Sequence, residues 1–331
     1  MRPSLLLLLA LGCAAPVSDR FEYVLEEQPG AFFSVHGTGE RDVWVAGAAD
    51  GGGLGLPALL HYDGAGWRRA DLSGLGLEGT DLWWVHARAA DDVFAAGENG
   101  TILRGDGTTF ARMASPDTRT VFGLWAAGPD EAWAVGGAFG GGEGFVWHLT
   151  GGAWTEVPLP ADHPGAAVFK VWGTAPDEVW FCGLMGTLMR WDGSALSMLP
   201  SPTTRSLFTV HAAGGELAVV GGAGSAVILR GTREGGFEDV TPSFDGVPPA
   251  QANGVWLSGA GEGWAVGIYG SILRLRAGRW EETEGVYDDL HGVWVDPAGG
   301  VWAVGGRILA PPFTGGVVVH RGAAVSGRIG G

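Results

Sequence analysis

One lysine occurs in the 331 residues, Lys170, and it stands where a recurring pattern has other residue types. At the equivalent place in the other copies of that pattern are Ser34, Trp84, Gly123, Thr209, Gly254 and Gly292. Five of the seven are small or hydroxylic, as a crowded inner strand requires; Trp84 and Lys170 break the rule. One position earlier, Asn253 and His291 replace aromatic residues. An ammonium, an indole, an amide and an imidazole together offer a ligand a cation, a stacking face and hydrogen-bonding groups. Trp84, Lys170, Asn253 and His291 are therefore the ligand-binding candidates, expected at the mouth of a central channel. Each also has an ordinary structural reading, as a side chain accommodated within its strand.

Other chemistry-bearing residues point to no active site. The eight His make no metal set by spacing. His36, His86 and His211 alternate with Trp at one repeat position, and His61, His148 and His320 alternate with Arg at another. A metal ligand would not exchange with Trp, so a shared hydrogen-bond donor role inside the repeat is the expectation. Glu281 to Asp289 holds five acids in nine residues without the spacing of a calcium loop. It is a solvated loop, a Ca²⁺ site or a contact for a basic partner. Cys182, within Val179-Trp180-Phe181-Cys182, is expected to be a small core residue. No metalloprotease, serine-hydrolase or phosphate-loop motif occurs, so no catalytic residue, metal or cofactor is assigned.

These candidates sit on a repeat. Seven apolar–apolar–Gly segments end at Gly47, Gly97, Gly136, Gly183, Gly221, Gly267 and Gly305, separated by 38 to 50 residues. Three residues before the glycine stand Trp44, Phe94, Trp133, Trp180, Ala218, Trp264 and Trp302. An acid stands two residues before that in six copies, Gly300 being the exception. Each unit divides into four strand-length pieces, the third ending on His or Arg and followed by turns such as Asp63-Gly64, Asp106-Gly107 and Asp192-Gly193. Four strands in a repeat of this length make a propeller blade. The expected fold is all-β, a seven-bladed β-propeller of four-stranded antiparallel blades. The seventh unit lacks a fourth strand after His320, and Phe21-Glu22-Tyr23-Val24 has the form of the missing piece. The N-terminal strand is thus expected to close the last blade. The propeller spans 20–322, with a flexible tail at 323–331.

Residues 1–15 are expected to be an export signal. One Arg precedes an apolar run from Leu5 to Leu11, too short to cross a bilayer, which takes about 20 residues. Ala10-Leu11-Gly12-Cys13 resembles a bacterial lipobox, which implies lipidation of Cys13, although its first position is Ala rather than Leu. The alternative is a secretory signal cut after Ala14 or Ala15. Net charge is −16, from 20 basic and 36 acidic residues. That balance opposes nucleic-acid binding and leaves a lipid anchor as the means of membrane contact.

The stretch Gly263-Trp264-Ala265-Val266-Gly267-Ile268-Tyr269-Gly270-Ser271-Ile272-Leu273-Arg274 resembles the blade motif of photosystem II assembly-factor-like propellers, within the wider BNR-like and YVTN-like bacterial repeats. Glu98 to Arg104 and Gly186 to Gly193 fit it as well. The resemblance covers roughly 20–322 and implies a fold, not an activity. Sialidase Asp-boxes of the form S-x-D-x-G-x-T-W are missing, and paired glycines of the kelch type occur only at 136–137, 221–222 and 305–306.

Blades 1, 3 and 7 carry insertions at Ala48–Pro57, Gly137–Gly144 and Arg307–Gly316, all on the side where interblade connectors are also long. Length variation on one face of a regular scaffold is how binding surfaces are built, and also how solvent loops drift. The expected function is an exported, lipid-anchored, non-catalytic propeller. It would be a monomer that binds a protein or glycan partner on this face at the bacterial outer membrane or cell surface; without the anchor it would be periplasmic or secreted. The alternative is a glycan hydrolase or lyase drawing acids from several blades.

Overall fold

Seven four-stranded antiparallel sheets follow one another around a ring. The computed structural model describes residues 17–138, 141–234 and 236–330; the expected signal and Cys13 lie outside them. The innermost strands are Phe32–Gly39, Leu82–Ala89, Thr120–Gly128, Val168–Ala175, Leu207–Ala213, Ala252–Gly259 and Leu290–Val295. Each packs on the next, and the seventh packs on the first. Turn chemistry supports the hairpins: Asp63, Asp106 and Asp192 accept backbone N–H bonds from two and three residues ahead.

The closure expected from sequence is present. Glu22–Gln28 pairs antiparallel with Thr314–Arg321, placing Glu22 opposite His320 and Tyr23 opposite Val319, and buries Leu25. Tyr23 Oη donates to Asp288 Oδ2 at 2.8 Å and accepts from Tyr287 N at 3.0 Å. The segment after Arg321 is not a free tail. Ser18 N donates to Gly322 O at 2.7 Å, Trp67 N to Arg328 O at 2.9 Å, and Gly330 N to Trp67 O at 2.8 Å. Val325 packs on the cluster that holds Leu25 and Trp67. Residues 323–330, expected to be flexible, therefore cross from blade 7 to the outer strand of blade 1, because the edge there offers unpaired backbone groups.

The repeat positions meet across strands. Trp44 lies opposite His61, Trp133 opposite His148, and Trp302 opposite His320. The Trp44 and His61 rings stack at 4.2 Å and the Trp133 and His148 rings at 3.8 Å. Asp42 and Glu131 then hold those imidazoles at 2.5 Å, so acid, aromatic and cation form one unit in these blades. In blade 2 the same unit is Asp92, Phe94 and Arg104. The inner histidines differ from expectation: His36 Nδ1 accepts from Ala87 N at 3.2 Å and His211 Nδ1 from Leu257 N at 3.1 Å. They act as acceptors toward the next blade, which an indole N–H cannot do. Burial keeps both neutral, His211 being pushed down to about 3.

Each anchor glycine faces the residue that begins a β-bulge in its inner strand. Gly47 is opposite Phe32, Gly136 opposite Val121, and Gly305 opposite Leu290, and the register slips at the next residue. A Cβ on any of the seven glycines would stand 1.8 to 2.4 Å from a carbonyl oxygen at the start of that strand. The glycine thus permits the close backbone approach that the bulge creates.

Candidate functional site

The bulge decides what faces the axis. Alternation along a strand turns Ser34 and His36 the same way, and would turn Phe33 away. The slip at Phe33 breaks that alternation, and the ring is fully buried against Ala31, Ala48 and Phe313. The same slip occurs at Trp83, Phe122, Phe169, Phe208, Asn253 and His291. These seven residues form a collar at the end of the channel bearing the long loops.

Five members of the collar are aromatic and touch in sequence. Phe33 stacks on Trp83 at 4.2 Å, Trp83 meets Phe122 edge-on at 5.6 Å, and Phe122 meets Phe169 at 5.4 Å. Phe169 is 5.7 Å from Phe208, and His291 lies 5.4 Å from Phe33 on the other flank. All of the collar but Phe33 lines a cavity of about 430 Å³, with Ala138, Gly141, Ile308 and Leu309 of the blade 3 and blade 7 insertions on its rim. Phe313 of the same blade 7 insertion packs edge-on against Phe33 at 5.2 Å and fixes the loop.

Three of the four residues singled out in the sequence line this cavity: Lys170, Asn253 and His291. Each also bonds a neighbouring blade. Lys170 Nζ donates to Phe122 O at 2.6 Å, Asn253 Nδ2 to Leu290 O at 2.8 Å, and His291 Nδ1 to Phe33 O at 2.6 Å. Gln251 Nε2 donates to the Asn253 amide oxygen at 2.9 Å. Trp84 is not at the mouth. Its ring lies one layer deeper, 4.5 Å beneath the Lys170 ammonium, beside a void of about 20 Å³ on the axis. It serves as the floor on which the ammonium rests. Sequence reasoning missed Trp83, Phe122, Phe169 and Phe208 as site residues. Their signal is the same column in which Asn253 and His291 stand out.

Burial dominates the electrostatics. Lys170 is 5% exposed, and desolvation pulls its ammonium down to about 7. His291 is held down to about 3, first by burial and then by the Lys170 charge, so it is neutral with Nδ1 as donor and Nε2 as acceptor. Cys182, opposite Lys170 in the sheet, is pushed up to about 12 by burial and stays a thiol. It sits in the core, as the sequence indicated. No carboxylate lies among the described residues lining the cavity.

The opposite end of the channel is a wider and more polar depression of about 810 Å³. His36, His86, Trp172, Trp256 and Trp294 floor it, and Arg88, Arg274, Arg321, Glu262 and Asp296 ring it. Arg88 is paired with Asp92 at 2.5 Å. In the acidic connector, Asp289 accepts from Tyr269 N at 2.7 Å and Glu284 lies 3.3 Å from Arg20. Among the described residues no three His, Cys, Asp or Glu side chains converge as a metal-binding set.

No protein-family profile matches the chain, and no curated protein matches it by sequence. Solved structures do match in architecture. The chain is similar to a streptogramin B lyase at 15% identity, covering 90% of this chain and 97% of that one with a TM-score of 0.71. It is similar to YCF48 from Cyanidioschyzon merolae at 14% identity, covering 91% and 98% with a TM-score of 0.66; a YCF48 structure also holds a D1 peptide. The third is the extracellular domain of the putative one component system BT4673 from B. thetaiotaomicron, at 13% identity and a TM-score of 0.63. There 91% of this chain matches 40% of that one. At such identities the likeness is one of fold: the chain is a seven-bladed propeller.

Proposed function

We propose that the chain is an exported, lipid-anchored binding propeller of the BNR-like or YVTN-like repeat type. It takes an apolar group of a protein partner into the cavity at the loop-rich end of its channel. The observation that carries this reading is the row of four aromatic rings, Trp83, Phe122, Phe169 and Phe208, lining a cavity of about 430 Å³, with Phe33 stacked on Trp83 behind it. Concave, mostly apolar sites of roughly 300–1,000 Å³ with a few placed polar groups are what ligands occupy. Lys170, Asn253 and His291 supply those polar groups, and Trp84 supports Lys170 from below. A propeller of the same fold solved with a peptide bound, and another forming an extracellular domain, support a partner-binding role outside the cytoplasm. The mostly apolar lining suits a glycan poorly. The alternative of a glycan hydrolase or lyase finds no paired carboxylates among the described residues of the cavity.

Capture from envelope extracts tests this reading. Phe208 is half-buried on the collar, and Phe208→Ala is expected to lower recovery of the partner at least about tenfold while melting changes little. Arg88→Ala, at the opposite end, is expected to leave capture intact. Equal loss or equal retention in the two variants would count against the cavity. The anchor has its own test: palmitate is expected to label the full chain in a bacterial host and not Cys13→Ala. Equal labelling of both would remove the lipid from the account.

A further inference from the structure

Among its described lining residues, the cavity has one charged group and none of opposite sign to meet it. Lys170 is the sole lysine of a chain with 36 acids, yet no carboxylate lies among the described residues lining its pocket. The titratable groups that face it are Cys182 on the adjoining strand and His291 across the axis, a thiol and a neutral imidazole. The ammonium has three donors; one goes to Phe122 O, and the Trp84 ring lies beneath it. A buried cation left in this state costs free energy, and an anion entering the cavity removes that cost. The amide of Asn253 and Nδ1 of His291 are already committed to backbone carbonyls. Lys170 is thus the group with donor capacity to spare, set among flat apolar walls.

We infer that the cavity is a site for an aromatic carboxylate, its ring held by the collar and its carboxylate paired with Lys170. The inference rests on the loop-rich end being the binding end, and it names the chemistry recognised there. A free aromatic acid and the C-terminal Phe of a polypeptide present the same two features. Binding is coupled to protonation. The anion selects the ammonium form, so affinity is full below pH 7 and falls as pH rises past the point where Lys170 deprotonates. A neutral isostere has no such dependence.

Calorimetry on the purified full chain tests this with 3-phenylpropionate against 3-phenylpropionamide, and with acetyl-Gly-Gly-Phe against its C-terminal amide. At pH 6.5 the acids are expected to bind at least about tenfold tighter than the amides, and between pH 6.5 and 8.5 the acids are expected to lose about tenfold or more. Which pair shows the larger preference distinguishes a small acid from a chain end. Lys170→Met is expected to abolish the preference without lowering the melting temperature, since it removes a buried charge. The pH titration of the unaltered protein tests the same pairing without a substitution. Acid and amide binding equally at pH 6.5 overturns the role of Lys170 and leaves the cavity as an apolar site. No binding of any probe overturns the inference, and the Phe208→Ala capture result then stands or falls by itself.

Discussion

A chain from which residues 20–27 are deleted melts about 10 °C below the intact chain, and all probes report the loss in one transition. The strand removed is the outer strand of blade 7, although it is first in the chain. Its deletion takes away the backbone ladder to Thr314–Arg321, the burial of Leu25 and the Tyr23 bonds to Tyr287 and Asp288. Losing a buried leucine alone costs about 2–5 kcal/mol. With the ladder and the Tyr23 bonds the loss comes to about 7 kcal/mol, which in a domain of this size lowers the melting temperature by roughly 10 °C. The effect spreads because the first and last blades bury their faces on each other, and an unclosed ring exposes both. A permuted chain that starts at Gly30 and carries Glu22–Gln28 after Arg321 is expected to recover most of the loss. Glu22 already lies opposite His320, so a short hairpin joins them. Circular dichroism melts of the three chains check this; an unchanged melt for the deletion contradicts the closure.

Gly305→Ala is the second large effect, expected to cost about 3 kcal/mol and to move His291. The added Cβ would lie 1.9 Å from Asp289 O and 2.8 Å from the Leu290 Cα. Both are backbone, so no side-chain rotation relieves the contact. The inner strand must shift, and the next residue along it is His291 on the collar. Gly259→Ala is the control: it lies at the end of the inner strand of blade 6, has open space around its would-be Cβ, and is expected to change stability by less than about 0.5 kcal/mol. A difference of roughly 4 °C between the two melts is predicted. Equal melts would mean that the anchor glycines have no steric role.

The anchor glycines show how far the sequence can be read. Their period reveals seven units, and the aromatic and cationic columns prove to be direct cross-strand neighbours, as Trp44 and His61 are. Phe21-Glu22-Tyr23-Val24 can be assigned to blade 7 because its pattern matches the outer strands of other blades. The collar is less legible. A strand's two-residue period places Trp83, Phe169 and Phe208 away from the axis, and the bulge that turns them inward is marked only by the anchor glycine on the neighbouring strand, whose spacing does not say which way these side chains turn. Lys170, Asn253 and His291 are visible because they are the wrong type for their columns. Trp84 is visible for the same reason, but its depth follows from the layering of side chains along the channel. The acceptor role of His36 and His211 depends on which nitrogen faces the next blade, which composition does not encode. Residues 323–330 carry little apolar patterning, and their path is set by backbone bonds to Trp67.

The two ends of the channel differ enough for one measurement to decide between them. Hydrogen exchange compared between the protein alone and the protein with its captured partner reports protection along the chain. Slowed exchange is predicted around Trp83, Phe169 and Phe208 and in the insertion 307–316, with Arg88, Arg274 and Arg321 unaffected. Protection confined to those three arginines and the strands around them would place the partner at the other end and contradict the account.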